Sequence, residues 1–358
     1  SHTAVGIALG TSNSVVAIFK ENSLTSEIVE NLETGRRITP SYIQIENNKQ
    51  IIGEVAKKNT SNKRFMNKVL YDMKRLIGRT YDDIEFQRDL QSNIWKFKVV
   101  KAEGGRPNLE IDLDGKKELY NPEEISGFLL QKLMSFANLR AKEKLVKAVI
   151  TVPARFNNAQ RDSTRSAGLI ALLDVIGIIS EPTAAALAYG YGIDTKKDTT
   201  LLVFDLGAGT LALSLLELKN GKFTVIATEG NTHLGGRDFD NELFKYAKKK
   251  FEEKGRTLSD LKSNKLLSAC EEAKITLTQS ESAIITLDFG DDESEEIEIS
   301  RELFEKICSP LFDRIFGNNN KKNGEIHKII NIAKNQNKEI DEVLLIGGAS
   351  RIKKVESI

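Results

Sequence analysis

Two stretches far apart in the chain repeat one pattern. Val5-Gly6-Ile7-Ala8-Leu9-Gly10-Thr11 leads into the alternating Val15-Val16-Ala17-Ile18-Phe19, and Leu202-Val203-Phe204-Asp205-Leu206-Gly207-Ala208-Gly209-Thr210 leads into Leu213-Ser214-Leu215-Leu216. Each reads as an apolar strand, a Gly/Thr turn and a second strand, so a duplicated strand-turn-strand unit is written into the chain. A turn of small residues lets backbone N–H groups approach an anion closely, and two copies imply two lobes closing on one polyphosphate. Superposing the copies sets Ala8 against Asp205. One half therefore carries a methyl group where the other carries an acid.

With 358 residues, 40% of them hydrophobic, the chain is long enough for two compact lobes. Its 52 basic and 51 acidic residues leave a net charge of +1, with no broad basic field for a phosphate backbone, so no nucleic acid is expected as a partner. The two cysteines, Cys270 and Cys308, have no CxxC or His neighbour and support neither a disulfide framework nor a zinc site. No apolar run reaches the ~18 residues of a membrane span, and the chain opens on a strand pattern instead of a leader, so no membrane association is expected.

Strand-like runs lie around Ile28-Val29, Tyr42–Ile45 and Ile51-Ile52, and apolar spacing predicts a helix from Phe65 to Ile77. Asn121-Pro122-Glu123-Glu124 is a helix start, followed by Ile125, Phe128, Leu129, Leu133 and Phe136 on one face. Ala148–Val152 and Val175–Ile179 read as strands flanking a helix from Asn158 to Ala171, and helical spacing covers Asp238–Lys254 and Ser259–Thr278. The acidic run Asp291–Glu298 and the Asn/Lys run Asn318–Asn323 read as surface loops or strand edges. The strand Glu342–Ile346, broken by Gly347-Gly348, echoes the unit Ala148–Phe156 as a second sign of duplication. Strands alternating with helices predict an α/β fold.

Glycine pairs after strands, Gly235-Gly236 and Gly347-Gly348, add to the two turns, while Thr11 and Thr210 offer hydroxyls at what read as matching turn ends. Together these predict a nucleotide site.

Four longer segments carry a family resemblance: Asp72-Met73-Lys74-Arg75-Leu76-Ile77-Gly78-Arg79, Glu181-Pro182-Thr183-Ala184-Ala185-Ala186-Leu187-Ala188-Tyr189-Gly190, Thr232-His233-Leu234-Gly235-Gly236, and Gly347-Gly348-Ala349-Ser350-Arg351-Ile352. In this order and over the whole chain they resemble the ATPase domain of the 70-kilodalton heat-shock chaperones. The resemblance implies an actin-like fold with two pseudo-symmetric lobes, each with a central mixed sheet and flanking helices, around a nucleotide cleft. It places lobe I at 1–191 with an inserted subdomain at about 41–117, and lobe II at 192–358 with an insertion at about 232–311.

The same resemblance assigns roles. Lys74 looks like the lysine that orients the water attacking the γ-phosphate, Glu181 and Asp205 like the carboxylates that hold magnesium through water, and Thr210 like a catalytic phosphate contact. Gly10, Thr11, Ser12 and Asn13, with Gly207, Gly209, Gly235 and Gly236, would bind phosphates. Glu271, Lys274 and Thr278, one turn apart on one helix face, with Gly347, Gly348, Ala349 and Arg351, would hold the adenosine. Without the resemblance, Glu271 and Lys274 read as an exposed i,i+3 ion pair. ATP or ADP with magnesium is the expected cofactor. Client proteins bound through a domain outside this chain and a nucleotide exchange factor are the expected partners, in the cytoplasm, with the endoplasmic reticulum or another organelle left open.

The chain departs from that pattern. Alanine stands at Ala8, Ala208 and Ala212 where the family has aspartate, glycine and aspartate, Ile275 replaces an arginine that stacks on adenine, and Gly177 and Ser180 replace arginine and asparagine on the J-domain docking surface. Losing the two aspartates loosens the ion shell, so magnesium binding is expected to weaken and hydrolysis to be severely weakened or absent. J-domain stimulation is expected to be atypical. These losses resemble the non-hydrolysing family members that act with a J-protein at the ribosome. The competing readings are a slow, working chaperone ATPase and a sugar kinase of the same fold, which would need a catalytic base that the Ala8 side lacks.

Overall fold

The computed structural model describes residues 3–20, 22–47, 49–190, 197–290, 293–318 and 323–357. Its contacts divide the chain into two compact units, Ser1–Glu181 and Pro182–Ile358. The lobe boundary expected at 191/192, and the tips of the acidic and Asn/Lys runs at 291–292 and 319–322, lie outside the described residues.

In the first unit the strands are β1 (Ala4–Leu9), β2 (Asn13–Lys20), β3 (Thr25–Ile28), β4 (Thr39–Pro40), β5 (Ile43–Glu46), β6 (Lys49–Ile52), β7 (Val69–Leu70), β8 (Lys98–Lys101), β9 (Pro107–Leu113), β10 (Lys116–Tyr120), β11 (Lys147–Val152) and β12 (Asp174–Ser180). The helices are α1 (Glu54–Asn59), α2 (Met73–Leu76), α3 (Ile84–Gln91), α4 (Pro122–Ala141) and α5 (Asn158–Ile170). The main sheet runs β12-β11-β1-β2-β3, with β4 paired to β2, and two three-stranded sheets, β10-β9-β8 and β6-β5-β7, stand apart from it. β1 lies parallel to β11 and antiparallel to β2. Strand alternation sends Val5, Ile7, Val16 and Ile18 into a core shared with Ile125, Leu129 and Leu133 of α4. That helix starts as its sequence predicts. Asn121 accepts from the Glu124 N–H at 2.8 Å while the Glu124 carboxylate accepts from the Asn121 N–H at 2.8 Å, a reciprocal cap with Pro122 in the first turn.

The helix expected from Phe65 to Ile77 does not form as one piece. A 3-10 turn at Met66–Lys68 gives way to β7, which pairs with β5, and only Met73–Leu76 is α-helical. Two things break the run. Val69 and Leu70 find strand partners far back in sequence, at Gln44 and Ile43, and Asp72 takes a left-handed conformation at φ 61°. Asp72 is held in it by tertiary bonding, since its carboxylate accepts from the Trp95 indole N–H at 3.2 Å.

The second unit contains α6 (Glu181–Ala188, whose first residue closes the first unit), β13 (Thr199–Leu206), β14 (Leu211–Lys219), β15 (Lys222–Asn231), α7 (Gly236–Glu253), α8 (Asp260–Thr276), β16 (Ser282–Gly290), β17 (Glu293–Ser300), α9 (Arg301–Ile307), α10 (Ser309–Phe316), α11 (Glu325–Asn335), β18 (Glu342–Ile346) and α12 (Lys353–Glu356). Its sheet runs β15-β14-β13-β18, and β16 and β17 form a separate hairpin. Phe204 stacks on Phe316 at 5.9 Å between ring centres, and Phe239 packs against Phe312 at 5.2 Å. The register makes the duplication concrete. Leu206 pairs with Leu211 across four turn residues as Leu9 pairs with Ser14, and the parallel neighbour β18 sits beside β13 as β11 sits beside β1. Among the described residues the fold is mixed α/β, with 12 α-helices and several sheets, as the alternation of strands and helices in the sequence predicts.

Candidate functional site

The β1–β2 turn of the first unit is closed by backbone proximity. A Cβ on Gly10 would stand 2.1 Å from the Asn13 carbonyl oxygen, so no other residue fits there. The Ser12 carbonyl accepts from the Ser41 N–H at 2.8 Å, Asn13 pairs with Pro40, and the Ser14 and Ser41 hydroxyls meet at 2.8 Å in the interior. Thr11 therefore rides on a turn anchored from below. Ala8 is exposed, directly across from Val15 on β2 and beside Thr151 on β11, so none of its sheet neighbours in this register is a carboxylate.

Lys74 on α2 reaches Glu181, the first residue after β12. Their Nζ and Oε1 are 2.5 Å apart with side chains 20% and 19% exposed, a geometry in which the ion pair is partly shielded from water. α2 is held by Gly78, whose φ of +68° and approach to α5, with Gln160 Cα 2.4 Å from a built Cβ, admit glycine alone.

In the second unit four segments meet. The Gly207 N–H donates to the Thr210 carbonyl at 3.0 Å, and the carbonyls of Gly207 and Ala208 accept from the N–H groups of Gly236 and Arg237 at 2.8 and 2.7 Å. The Gly235 N–H donates to the Asp238 carboxylate at 2.7 Å. The amides of Gly207, Gly235 and Gly236 are thus directed at protein acceptors, and what these glycines provide is room: a Cβ on Gly235 would lie 2.6 Å from the Gly209 nitrogen. Ala208 is absent from the positive-φ residues, so its methyl group costs the turn nothing in backbone strain. Gly347, at φ 83°, packs so closely that a Cβ would stand 2.4 Å from the Leu206 carbonyl oxygen and 2.5 Å from Asp205 Oδ1. The Ser350 hydroxyl accepts from the Leu206 N–H at 3.3 Å, tying the segment after β18 to the end of β13.

Asp205 pairs directly with Ala212 across the hairpin, which puts the carboxylate and the methyl group on the same face. Lys274 of α8 is drawn inward. Its Nζ lies 2.7 Å from Asp240 Oδ1 on α7 and donates to the Gly236 carbonyl at 3.1 Å, with side chains only 11% and 9% exposed. The surface pair that spacing alone suggested for Lys274 is replaced by this interior partner. Ile275, one residue on, is 57% exposed.

Several expected placements change. In the shared register Thr11 is the second of its four turn residues and Thr210 the fourth, so the two hydroxyls stand at non-equivalent ends of matching turns. Helix α8 stops at Thr276, leaving Thr278 in the turn beyond, where its hydroxyl donates to the Ile275 carbonyl at 2.7 Å. Glu271 and Lys274 remain on the helix; Arg351 is exposed at the end of the 3-10 turn Gly348–Arg351. Gly177 lies on β12, next to an irregularity in its pairing that leaves Ile176 54% exposed. Asp240 was not legible as a site residue, because only the packing of α7 on α8 brings it to Lys274. Among the described residues no group of three or more His, Cys, Asp and Glu side chains is placed to hold a metal ion, and no helix is long and apolar enough to cross a membrane.

These segments carry the same signature as a known family over almost the entire sequence: residues 4–358 match the model described as Hsp70 protein. The chain belongs to the Hsp70 family. Among similar Hsp70 relatives is a ribosome-associated molecular chaperone of Zygosaccharomyces rouxii, 42% identical over 99% of this chain and 56% of its own length. A ribosome-associated molecular chaperone of Saccharomyces cerevisiae is 40% identical with the same coverage. A heat shock 70 kDa protein of Neurospora crassa is 38% identical over 99% of this chain and 53% of its own. The chain thus spans little more than half the length of these Hsp70 relatives.

Proposed function

We propose that this Hsp70 chain binds ATP and ADP as conformational ligands and hydrolyses ATP weakly. The observation that carries the reading is the pairing of Asp205 with Ala212, matched in the other half by Ala8 opposite Val15. Each hairpin offers one carboxylate or none where phosphoryl transfer would draw on several groups to place a metal ion and its water. The support for binding is separate: the glycine turns and the Lys74–Glu181 pair are intact.

Magnesium, when bound, neutralises phosphate charge. Asp205 in the second unit would be the carboxylate to hold the ion through water, and Ala212 across the hairpin adds nothing to that role. Ile275 supplies an aliphatic face in place of a cation, so adenine affinity should fall below the family's. The Lys74–Glu181 pair also favours a second reading, a slow working ATPase. Single-turnover hydrolysis of bound ATP decides between the two: a rate matching an ordinary Hsp70 removes the first. Calorimetric titration with ATP and ADP, with and without magnesium, tests the loosened ion shell, for which affinity should change little with the metal.

For the whole protein, we propose a chaperone that couples nucleotide state to client binding and works at the ribosome, as the names of its relatives state of them. Gly177 and Ser180 make its response to a J-domain atypical. Co-sedimentation of the full-length protein with ribosomes, lost at high salt or not, tests the location.

A further inference from the structure

Lys274 carries its charge inside the second unit. Nζ lies 2.7 Å from Asp240 Oδ1 with both side chains largely buried, and it donates to the Gly236 carbonyl at 3.1 Å. Burying an ammonium is costly unless an opposite charge and hydrogen bonds attend it. Asp240 supplies the charge, and Gly236 supplies an acceptor. Both partners belong to α7, whereas Lys274 stands in the last turn of α8. A pair such as Lys245–Glu242 lies on one helix at the surface and follows from spacing alone, with Lys245 69% exposed. The Lys274–Asp240 pair instead joins two helices and fixes a charge at one place between them.

That place is set by three segments. A Cβ on Gly236 would lie 3.2 Å from Lys274 Nζ and 3.3 Å from Ala349 Cβ, so the ammonium, the start of α7 and the Gly348–Arg351 turn converge on one spot. Lysine has a flexible four-carbon stem that loses rotamer freedom when a ligand orders it. Asp240 orders it beforehand, which lowers the entropic cost of binding. An ammonium has three donors, so one can turn to a ligand while Asp240 and Gly236 hold the group. Swinging the lysine out of this place would strip the buried Asp240 of its counter-charge, which argues against a latch that must open.

We propose that Asp240 is a positioning residue for the nucleoside end of the ligand, holding Lys274 Nζ beside Gly236 and Ala349 where adenosine is received. The assignment rests on the proposed binding of ATP and ADP and adds to it a residue that acts only through the lysine.

Calorimetric titration of the chain and its variants with ATP tests the role. Lys274→Met should weaken ATP about 10-fold, the loss of a hydrogen bond from a charged group. Asp240→Asn should weaken it by a similar factor. The double variant should bind no more weakly than Lys274→Met alone, because the two residues act as one. Displacement of ATP by inorganic tripolyphosphate, which has no nucleoside, reports the affinity of the glycine turns. That affinity should stay within about 2-fold throughout, a result that general damage to the fold would not give. Unchanged or tighter ATP binding in Asp240→Asn, losses that multiply in the double variant, or a parallel loss of tripolyphosphate overturns the positioning role. Lys274→Met without effect on ATP removes the adenosine role of the lysine, and the role of Asp240 falls with it. Asp240→Glu decides the matter even if Asp240→Asn does not fold. It keeps the charge but moves it by one methylene, so ATP should weaken at least about 3-fold, and an unchanged affinity overturns the assignment.

Discussion

Asp205 and Ala212 share one rung of a hairpin, so restoring an acid at Ala212 places two carboxylates within a few ångströms on one face. With a bound magnesium ion their repulsion is relieved. Ala212→Asp combined with Ala8→Asp is expected to raise the single-turnover rate on the order of 10- to 100-fold, measured by release of radiolabelled phosphate. Either change alone should do less. Gly347 makes the opposite kind of test. Alanine there meets both a positive φ and the Leu206 carbonyl, so Gly347→Ala should cost on the order of 2 kcal/mol by denaturant melts. Nucleotide affinity should drop with it, because the new methyl group displaces the Asp205 carboxylate.

Among the elements, α4 ties the main sheet of the first unit to its core, and its start depends on the reciprocal cap at Asn121. Asn121→Ala should destabilise the unit by ~1 kcal/mol, visible as a lower melting temperature with unchanged nucleotide affinity. That helix was legible because its signal is local: cap, proline, acids and apolar spacing all lie within a few residues. The two glycine hairpins were legible for the same reason. β7 was not, since its strand character comes from pairing with β5, and helical spacing in the sequence around it pointed the other way. Distance in sequence also hid the site details. Asp240 meets Lys274 only through packing of α7 on α8, and the unlike places of Thr11 and Thr210 emerge only once the register fixes where each turn begins.

For the molecule as a whole, each unit has its own apolar core, and both cysteines lie in that of the second. Burial pushes the Cys270 thiol up to about 12, with the Asp240 charge adding to it, and pushes Cys308 up to about 12 with help from Glu242 and Asp240. Each thiol holds its proton more firmly folded than unfolded. Its contribution to stability is complete below the ordinary value of 9.0 and is lost as pH climbs from there toward 12. Native protein at pH 8 should therefore resist thiol reagents, with labelling appearing only on unfolding. Saturating ATP should raise the melting temperature by mass action, about 2.7 kcal/mol at a hundredfold excess over Kd. Differential scanning calorimetry follows both effects. The division of the chain at Glu181 and Pro182 has one practical corollary for anyone building a split reporter from it. The acid that answers Lys74 is the final residue of its half, so a gene cut one codon early would hand that acid to the wrong fragment and leave the lysine without its counter-charge.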